Sequence, residues 1–277
     1  MTRPSSFGLI LIAPALAMIA ALFLYPLGFS LTSAFTGPDG GLSLEHFEKA
    51  IDLYSTDILF TLFIVIVSTL LTALFSIAIA GTLTLGETPW LISSLRFLYR
   101  WPLFIPFIVA AQCMRTFLAK NGLMNNSLVS LGIIEPLQAT SFLDWRGIII
   151  TFVWKQVPFV TLMLAGAMAS IDRATIEAGR NLGASRLRVL IELVLPQVAQ
   201  TLLVGLVLSF VTMLSVLSVP LMINPNSPTM ITVDVAYRIN TFADYAVANA
   251  LCLLSLLLAA VGAAFYLRHA VKRVENT

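Results

Sequence analysis

Six stretches of about 20 or more apolar residues, near 8–35, 58–85, 97–118, 147–170, 197–223 and 243–267, divide the 277-residue chain. A helix rises 1.5 Å per residue, so about 20 apolar residues cross the roughly 30 Å hydrocarbon layer of a bilayer. Apolar residues make up 58% of the chain and charged ones 11%, too few charges to coat a water-facing surface, and the mean hydropathy is +0.94. Six spans use about 120 residues, and the remainder is connecting loop with no room for a separate catalytic domain. Lipid tolerates no unpaired backbone, and the alternating ten-residue segments of a barrel are absent, so the spans are helices. The expected fold is an all-α membrane protein of six transmembrane helices, one domain over residues 1–277.

Turn-rich segments separate the spans: 36–41, Gly86-Glu87-Thr88-Pro89, the region around Asn121-Gly122 and Asn125-Asn126, and 224–228. Leu123 to Ile134 is apolar but too short to cross, which predicts an interfacial or re-entrant piece. The first run exceeds a signal-peptide core and reads as a retained helix. With the N-terminus inside, the cytoplasmic side collects Arg3, Arg96, Arg100, Arg173, Arg180, Arg186, Arg188, Arg268, Lys272 and Arg273, ten of the 16 basic residues. Asp39, Glu45, Glu48, Asp52 and Asp57 lie in the first outer loop with a single Lys49. Both termini are therefore expected in the cytoplasm.

The residues exclude several chemistries. A net charge of +2 without clustered Lys and Arg gives no nucleic-acid face. Cys113 and Cys252 lie in separate apolar stretches, and His46 and His269 on opposite sides, so neither a disulfide framework nor a metal site is expected. There is no Walker A sequence, so the chain is no ATPase.

One cytoplasmic segment carries a pattern. Between spans four and five, Asp172 stands where an N-cap belongs, and Ala174, Ala178 and Leu182 recur every four residues as one apolar stripe beside Arg173, Glu177 and Arg180. A short amphipathic helix along the membrane surface is expected. Gly179 and Gly183 each cost such a helix about 1 kcal/mol relative to Ala, which predicts close approach to its backbone. Pro196 is expected to open span five at a position where its missing N–H is harmless. A charged surface helix is the bland reading of this segment, and a docking knob for a cytoplasmic partner the sharp one.

Glu177-Ala178-Gly179, Gly183 and Leu193-Val194-Leu195-Pro196 stand at the spacing of the E-A-A, three residues, G, nine residues, I-x-L-P loop. The chain thereby resembles the membrane-spanning permease subunits of type I ATP-binding-cassette importers. Glu177, Ala178, Gly183, Leu195 and Pro196 match, while Gly179 replaces the family's Ala and Leu193 its Ile. The resemblance extends to Pro14 and Tyr25-Pro26 in span one, Gly122-Leu123-Met124-Asn125 with Leu131-Gly132, and Trp154 to Pro158. Leu182-Gly183-Ala184-Ser185 is closer to the polyamine, ferric-iron and phosphonate branches than to the sugar branch, which has Asp before that glycine.

The resemblance implies a solute importer of alternating access: two permease subunits, identical or different, a cytoplasmic ATPase dimer that holds the ATP and Mg, and an external binding protein, all in a bacterial inner membrane. It implies no cofactor in this chain and no catalytic residue. Glu177, Ala178, Gly179, Arg180, Gly183 and Ala184 become the expected ATPase-docking residues, with Glu177 bonding to the ATPase surface, Ala178 packed in its groove and Gly183 allowing close backbone approach. Arg173, Arg186 and Arg188 are expected at that partner or at anionic lipid headgroups.

Polar residues inside lipid mark pathways because they are expensive there. Lys155, about 12 Å into span four, and the adjacent Gln156 are pathway candidates, as are Arg115, Ser215 and Ser218. Snorkelling is the alternative for the two cations, and close helix packing for the serines. If Arg115 and Lys155 both face the pathway, they favour an anionic or neutral solute. Asp234, Arg238 and Asp244 are expected on the outer rim, where a binding protein would dock. The rival reading, a secondary transporter or channel subunit, needs a carboxylate in mid-membrane, and no span holds one deep inside.

Overall fold

A computed structural model of the chain describes residues 6–37 and 39–274, with side chains for residues 11–37 and 39–264. Arg3 lies outside the described residues, as do the side chains of Arg268, His269, Lys272 and Arg273. Apart from one isolated bridge between Thr36 and Leu42, the regular structure among the described residues is helical. Five helices are long and apolar enough to cross a membrane: Leu11–Phe35, Glu45–Leu85, Trp145–Ala169, Arg186–Ser215 and Tyr245–Ala264. One further pair, Pro89–Phe104 with Phe107–Ser130, is bent by 111°; counted as one broken span it brings the candidates among the described residues to six, and counted as a re-entrant loop it leaves five.

The chain divides into two compact units, Met1–Ser55 with Asp234–Leu257, and Thr56–Val233 with Leu258–Thr277. In the first, α1 (Ser6–Ile19) and α2 (Tyr25–Phe35) are joined by a π-helical turn, Ala20–Leu24. Pro26 has no N–H, and its ring would press on a carbonyl one turn back. The wide turn relieves this, with the Tyr25 N–H bonding to the Ala20 carbonyl five residues earlier. Residues 11–26 are exposed throughout, an apolar surface suited to lipid or a second subunit.

Helix α3 (Glu45–Leu85) has 41 residues and is about 61 Å long, twice the hydrocarbon thickness. The acidic residues from Glu45 to Asp57 thus sit on a helix and not in the expected outer loop. Asp57, 4% exposed, accepts from the Thr229 N–H at 2.8 Å and the Ser227 hydroxyl at 3.1 Å, anchoring the connection ahead of α12 (Ile231–Asn240).

Span three is not the continuous helix that 97–118 suggested. It consists of α4 (Pro89–Leu98), a 3-10 turn at Trp101–Phe104 and α5 (Phe107–Leu118), because Pro102 and Pro106 each remove a helical N–H. Helix α6 (Leu123–Ser130) is the short non-spanning piece expected there, and the buried Asn125 amide holds the loop by donating to the Ala119, Lys120 and Thr140 carbonyls.

Helix α7 (Trp145–Ala169) is N-capped by Asp144 and is followed by α8 (Arg173–Asn181) and the single turn α9 (Arg186–Arg188). Span five does not open at Pro196. Helix continues from Arg186 through a second π-helical turn, Val189–Val194, into α10 (Leu195–Ser215). The device of span one repeats: the Leu195 N–H bonds to Leu190 O immediately before the proline. Nor does the span reach residue 223. Pro220 cannot donate to the Val216 carbonyl, the chain turns extended at Val216, and α11 (Ser218–Ile223) forms separately. Helix α13 (Tyr245–Val274) closes the chain.

Two apolar clusters hold the second unit. One centres on Ile64, Phe152 and Met213, and the other on Ala80, Leu164, Met168, Val189 and Leu190. Full burial of such side chains contributes about 1.5–3 kcal/mol each. The second cluster carries Ile176 and Leu193 on its border, and so seats α8.

Candidate functional site

The segment between α7 and α10 is built as its sequence directs at the start. The Asp172 carboxylate accepts from the Ala174 N–H at 2.9 Å, and α8 follows. Its end is set by Gly183, whose φ of +85° lies in the left-handed region that other L residues adopt at a cost. The Gly183 N–H bonds to Arg180 O at 2.9 Å and the Ala184 N–H to Gly179 O at 3.1 Å, the two bonds of a Schellman cap. A Cβ at Gly183 would meet nothing within 4 Å. Within this chain that glycine therefore serves the turn, whereas the sequence suggested close approach.

Close approach occurs at the other glycine. A Cβ at Gly179 would lie 2.6 Å from Leu193 Cδ1, inside van der Waals contact. Both departures from the loop pattern thus touch each other: the position lacking the alanine methyl faces the leucine that replaces isoleucine. Leu190, on the same π-helical turn, would be 2.7 Å from a Cβ at Gly81. That turn is wedged between α8 and the C-terminal end of α3.

The stripe Ala174, Ala178 and Leu182 is uncovered, with Leu182 90% exposed at the tip. Ile176 points the other way, into the core. Glu177 is exposed and makes no ion pair or hydrogen bond among the described residues. Arg180 is otherwise engaged: its guanidinium meets the Glu87 carboxylate at 2.6 Å, and Arg186 closes on the other Glu87 oxygen. Ala184 packs against the core, and Arg188 pairs with Glu192 one turn on at 3.2 Å. The hydrogen bond from Arg180, with the charges of Arg186 and Arg180, holds the Glu87 carboxyl below the ordinary carboxylate range. The turn after α3 is thereby tied to both ends of the α8–α9 bend. Sequence reasoning filed Glu87 among turn residues; the available signal was a lone acid in a basic neighbourhood.

The pathway candidates are spread over helices that pack together, α5 against α7 and α11. Arg115 is exposed near the end of α5 and pairs with no acid among the described residues. Ser215 is exposed and donates to Val211 O, and Ser218 is half-buried at the start of α11. Gln156 is 4% exposed, its amide nitrogen without a partner among the described residues. Lys155 is 6% exposed and does not snorkel. Its ammonium donates to Pro102 O and Ile105 O, each at 2.5 Å, and lies over the Phe107 ring. It fills the break in span three. The outer charges are likewise committed inward: Asp234 is buried, and Arg238 lies between the Tyr54 and Phe242 rings and pairs with Asp244, which also takes Lys49 at 3.1 Å. Lys49, Arg238 and Asp244 thus form one charge cluster, with Lys49 still exposed.

Comparisons with known proteins meet this geometry. A sulfoquinovosyl glycerol transport system permease protein of Agrobacterium fabrum is 26% identical, covering 94% of this chain and 89% of its own. A putative 2-aminoethylphosphonate transport system permease protein of Salmonella typhimurium is 27% identical, covering 88% and 85%. An sn-glycerol-3-phosphate transport system permease protein of Escherichia coli O157:H7 is 27% identical, covering 83% and 81%. Phosphonate and sugar-derivative systems match alike, so Leu182-Gly183-Ala184-Ser185 does not separate the branches. The fold is that of a chain in the bacterial alginate ABC transporter in complex with an alginate pentasaccharide-bound periplasmic protein, with a TM-score of 0.79 at 23% identity over 97% of this chain and 96% of that one. A chain of the inward-facing MetNI methionine ABC transporter superposes with a TM-score of 0.58 at 19% identity, covering 80% and 96%. Residues 54–275 match the family model described as binding-protein-dependent transport system inner membrane component, and with the α8 loop and the helical spans in place, the chain belongs to that family of membrane-embedded transport permease subunits, which are not enzymes.

Proposed function

We propose that this chain is one of two permease subunits lining a pathway, that a cytoplasmic ATPase dimer carrying ATP and Mg docks on α8, and that an external binding protein delivers the solute. Both termini lie in the cytoplasm on this reading. The observation that carries it is the state of α8: a capped helix seated on the core by Ile176, with Ala178, Leu182 and an unpaired Glu177 facing outward. Glu177 is the bonding group toward the ATPase, Ala178 and Leu182 its apolar contact, and Gly179 and Gly183 shape the helix that presents them. Movement imposed on α8 passes through Leu193 and Leu190 to α3, and through Arg180 and Arg186 to Glu87 at that helix's end. A rigid-body shift between inward- and outward-facing forms follows.

The solute proposed is a small organic anion. The relatives' names contain a sulfo sugar, a phosphonate and a phosphate, and one structural neighbour imports an acidic polysaccharide. Arg115, exposed and unpaired by any acid, is the fitting cation; Ser215, Ser218 and Gln156 supply neutral hydrogen-bonding groups. Lys155, held by two carbonyls, contributes to the wall's geometry.

The test is affinity purification from native membranes. The chain should retain an ATPase, and Ala178→Trp, at an exposed position with no internal neighbour to displace, should lose it. Retention by that variant would remove α8 as the docking element.

A further inference from the structure

A cleft of 320 Å³ opens between the cytoplasmic ends of α3, α4 and α7 and the start of α8. Three of its lining residues are arginines, Arg96, Arg100 and Arg173, and none is an acid. Such a concentration of like charge is unfavourable unless an anion answers it. The acids nearby in sequence are already used: Glu87 by Arg180 and Arg186, and Asp172 by the α8 N-terminus. Glu177, on α8, does not line the cleft. Arg96 and Arg173 have no hydrogen bond or ion pair among the described residues, and Arg100 only donates to the Tyr99 hydroxyl at 3.2 Å, leaving that phenol's proton free to donate into the cleft. Tyr99 itself is 7% exposed.

The depth of the cleft identifies the source of the anion. Helix α4 carries Trp90 and Phe97, 74% and 61% exposed. Exposed aromatic rings of this kind collect at the headgroup level of a bilayer, and basic residues beside them on the cytoplasmic side attract anionic lipid. We propose that the cleft binds the phosphate of an anionic phospholipid headgroup, held by Arg96, Arg100 and Arg173, with α4 lying in the interface and Arg173 linking the lipid to the docking helix. The proposal rests on the membrane placement of the chain and not on ATPase docking.

The full-length chain in nanodiscs of phosphatidylcholine containing a minor fraction of spin-labelled phosphatidylglycerol tests it. The wild type should hold labelled phosphatidylglycerol in preference to labelled phosphatidylcholine, and each Arg→Gln change at 96, 100 or 173 should lower that preference about fivefold. Arg146→Gln, which removes a charge paired with Asp144 and absent from the cleft lining, should leave it unchanged. Soluble glycerol phosphate at constant ionic strength should not displace the lipid. Equal preference in wild type and R96Q/R100Q/R173Q, with both proteins folded by circular dichroism, would overturn the site. Displacement by glycerol phosphate would overturn the lipid source in favour of a free phosphate ligand. Retention of lipid with loss of the copurified ATPase in the triple variant would assign the arginines to the protein partner instead.

Discussion

Gly179→Ala isolates the packing that seats α8. The added methyl would stand 2.6 Å from Leu193 Cδ1, where carbon atoms normally rest about 3.5–4.0 Å apart. The leucine methyl must therefore retreat by about 1 Å, on a half-buried side chain flanked by the core. Overpacking of this kind costs about 1–3 kcal/mol, and the gain in helix propensity returns about 1 kcal/mol. A net loss of up to about 2 kcal/mol is expected. Leu193→Ala alone removes contacts from a partly covered site and costs about 2 kcal/mol, at the low end for such truncations. The double variant has no clash, so its loss should fall short of the sum by the relieved overpacking, about 1–3 kcal/mol, in a double-mutant cycle. Equilibrium unfolding in mixed micelles reads stability, and coupled ATP hydrolysis in the assembled transporter reads α8 orientation. Additivity within about 0.5 kcal/mol would refute the contact between the two positions.

Other expectations follow the same geometry. Gly183→Ala should cost about 1–2 kcal/mol through its positive φ alone. Since the space there is open, Gly183→Trp should unfold no more easily than the alanine variant, and any further loss of coupled hydrolysis measures obstruction of a partner. Glu87→Gln should uncouple hydrolysis more than it destabilises the exposed turn, with an effect that shrinks as salt rises. Its carboxyl titrates below 4.5 in the folded chain, so the tie is fully present above that value and is lost as pH falls through the depressed folded value, readable as a salt-sensitive acid limb absent from Glu87→Gln. Lys155→Met should strand the Ile105 carbonyl and leave the Pro102 carbonyl with the Ile105 N–H alone, cost about 1–3 kcal/mol in micelle unfolding, and leave solute preference unchanged.

What the sequence disclosed follows from the range of the physics behind it. Span number, the Asp172 cap and the short helix after Gly122 depend on local apolar length and on side chains reaching their own backbone, so they were legible. The prolines were visible too, but their consequences were not uniform. Pro102, Pro106 and Pro220 break helices, while Pro26 and Pro196 are absorbed by π-helical turns upstream, one fully exposed and the other packed on the core. Gly183 and Gly179 look alike in sequence, yet one answers backbone geometry and the other a side chain fourteen residues away. Lys155, Asp57 and Arg238 find partners 50 or more residues distant, and no periodicity reports such pairs. Glu87 was overlooked for the same reason.

The most direct test of ATP-driven import through α8 is coupled hydrolysis in proteoliposomes holding this chain with its copurified ATPase and partner permease, assayed with and without a liganded external binding protein. Stimulation by the binding protein that is lost on Ala178→Trp, with the ATPase's own basal hydrolysis intact, is the predicted result. Full stimulation in that variant, or hydrolysis indifferent to the binding protein, would contradict the account.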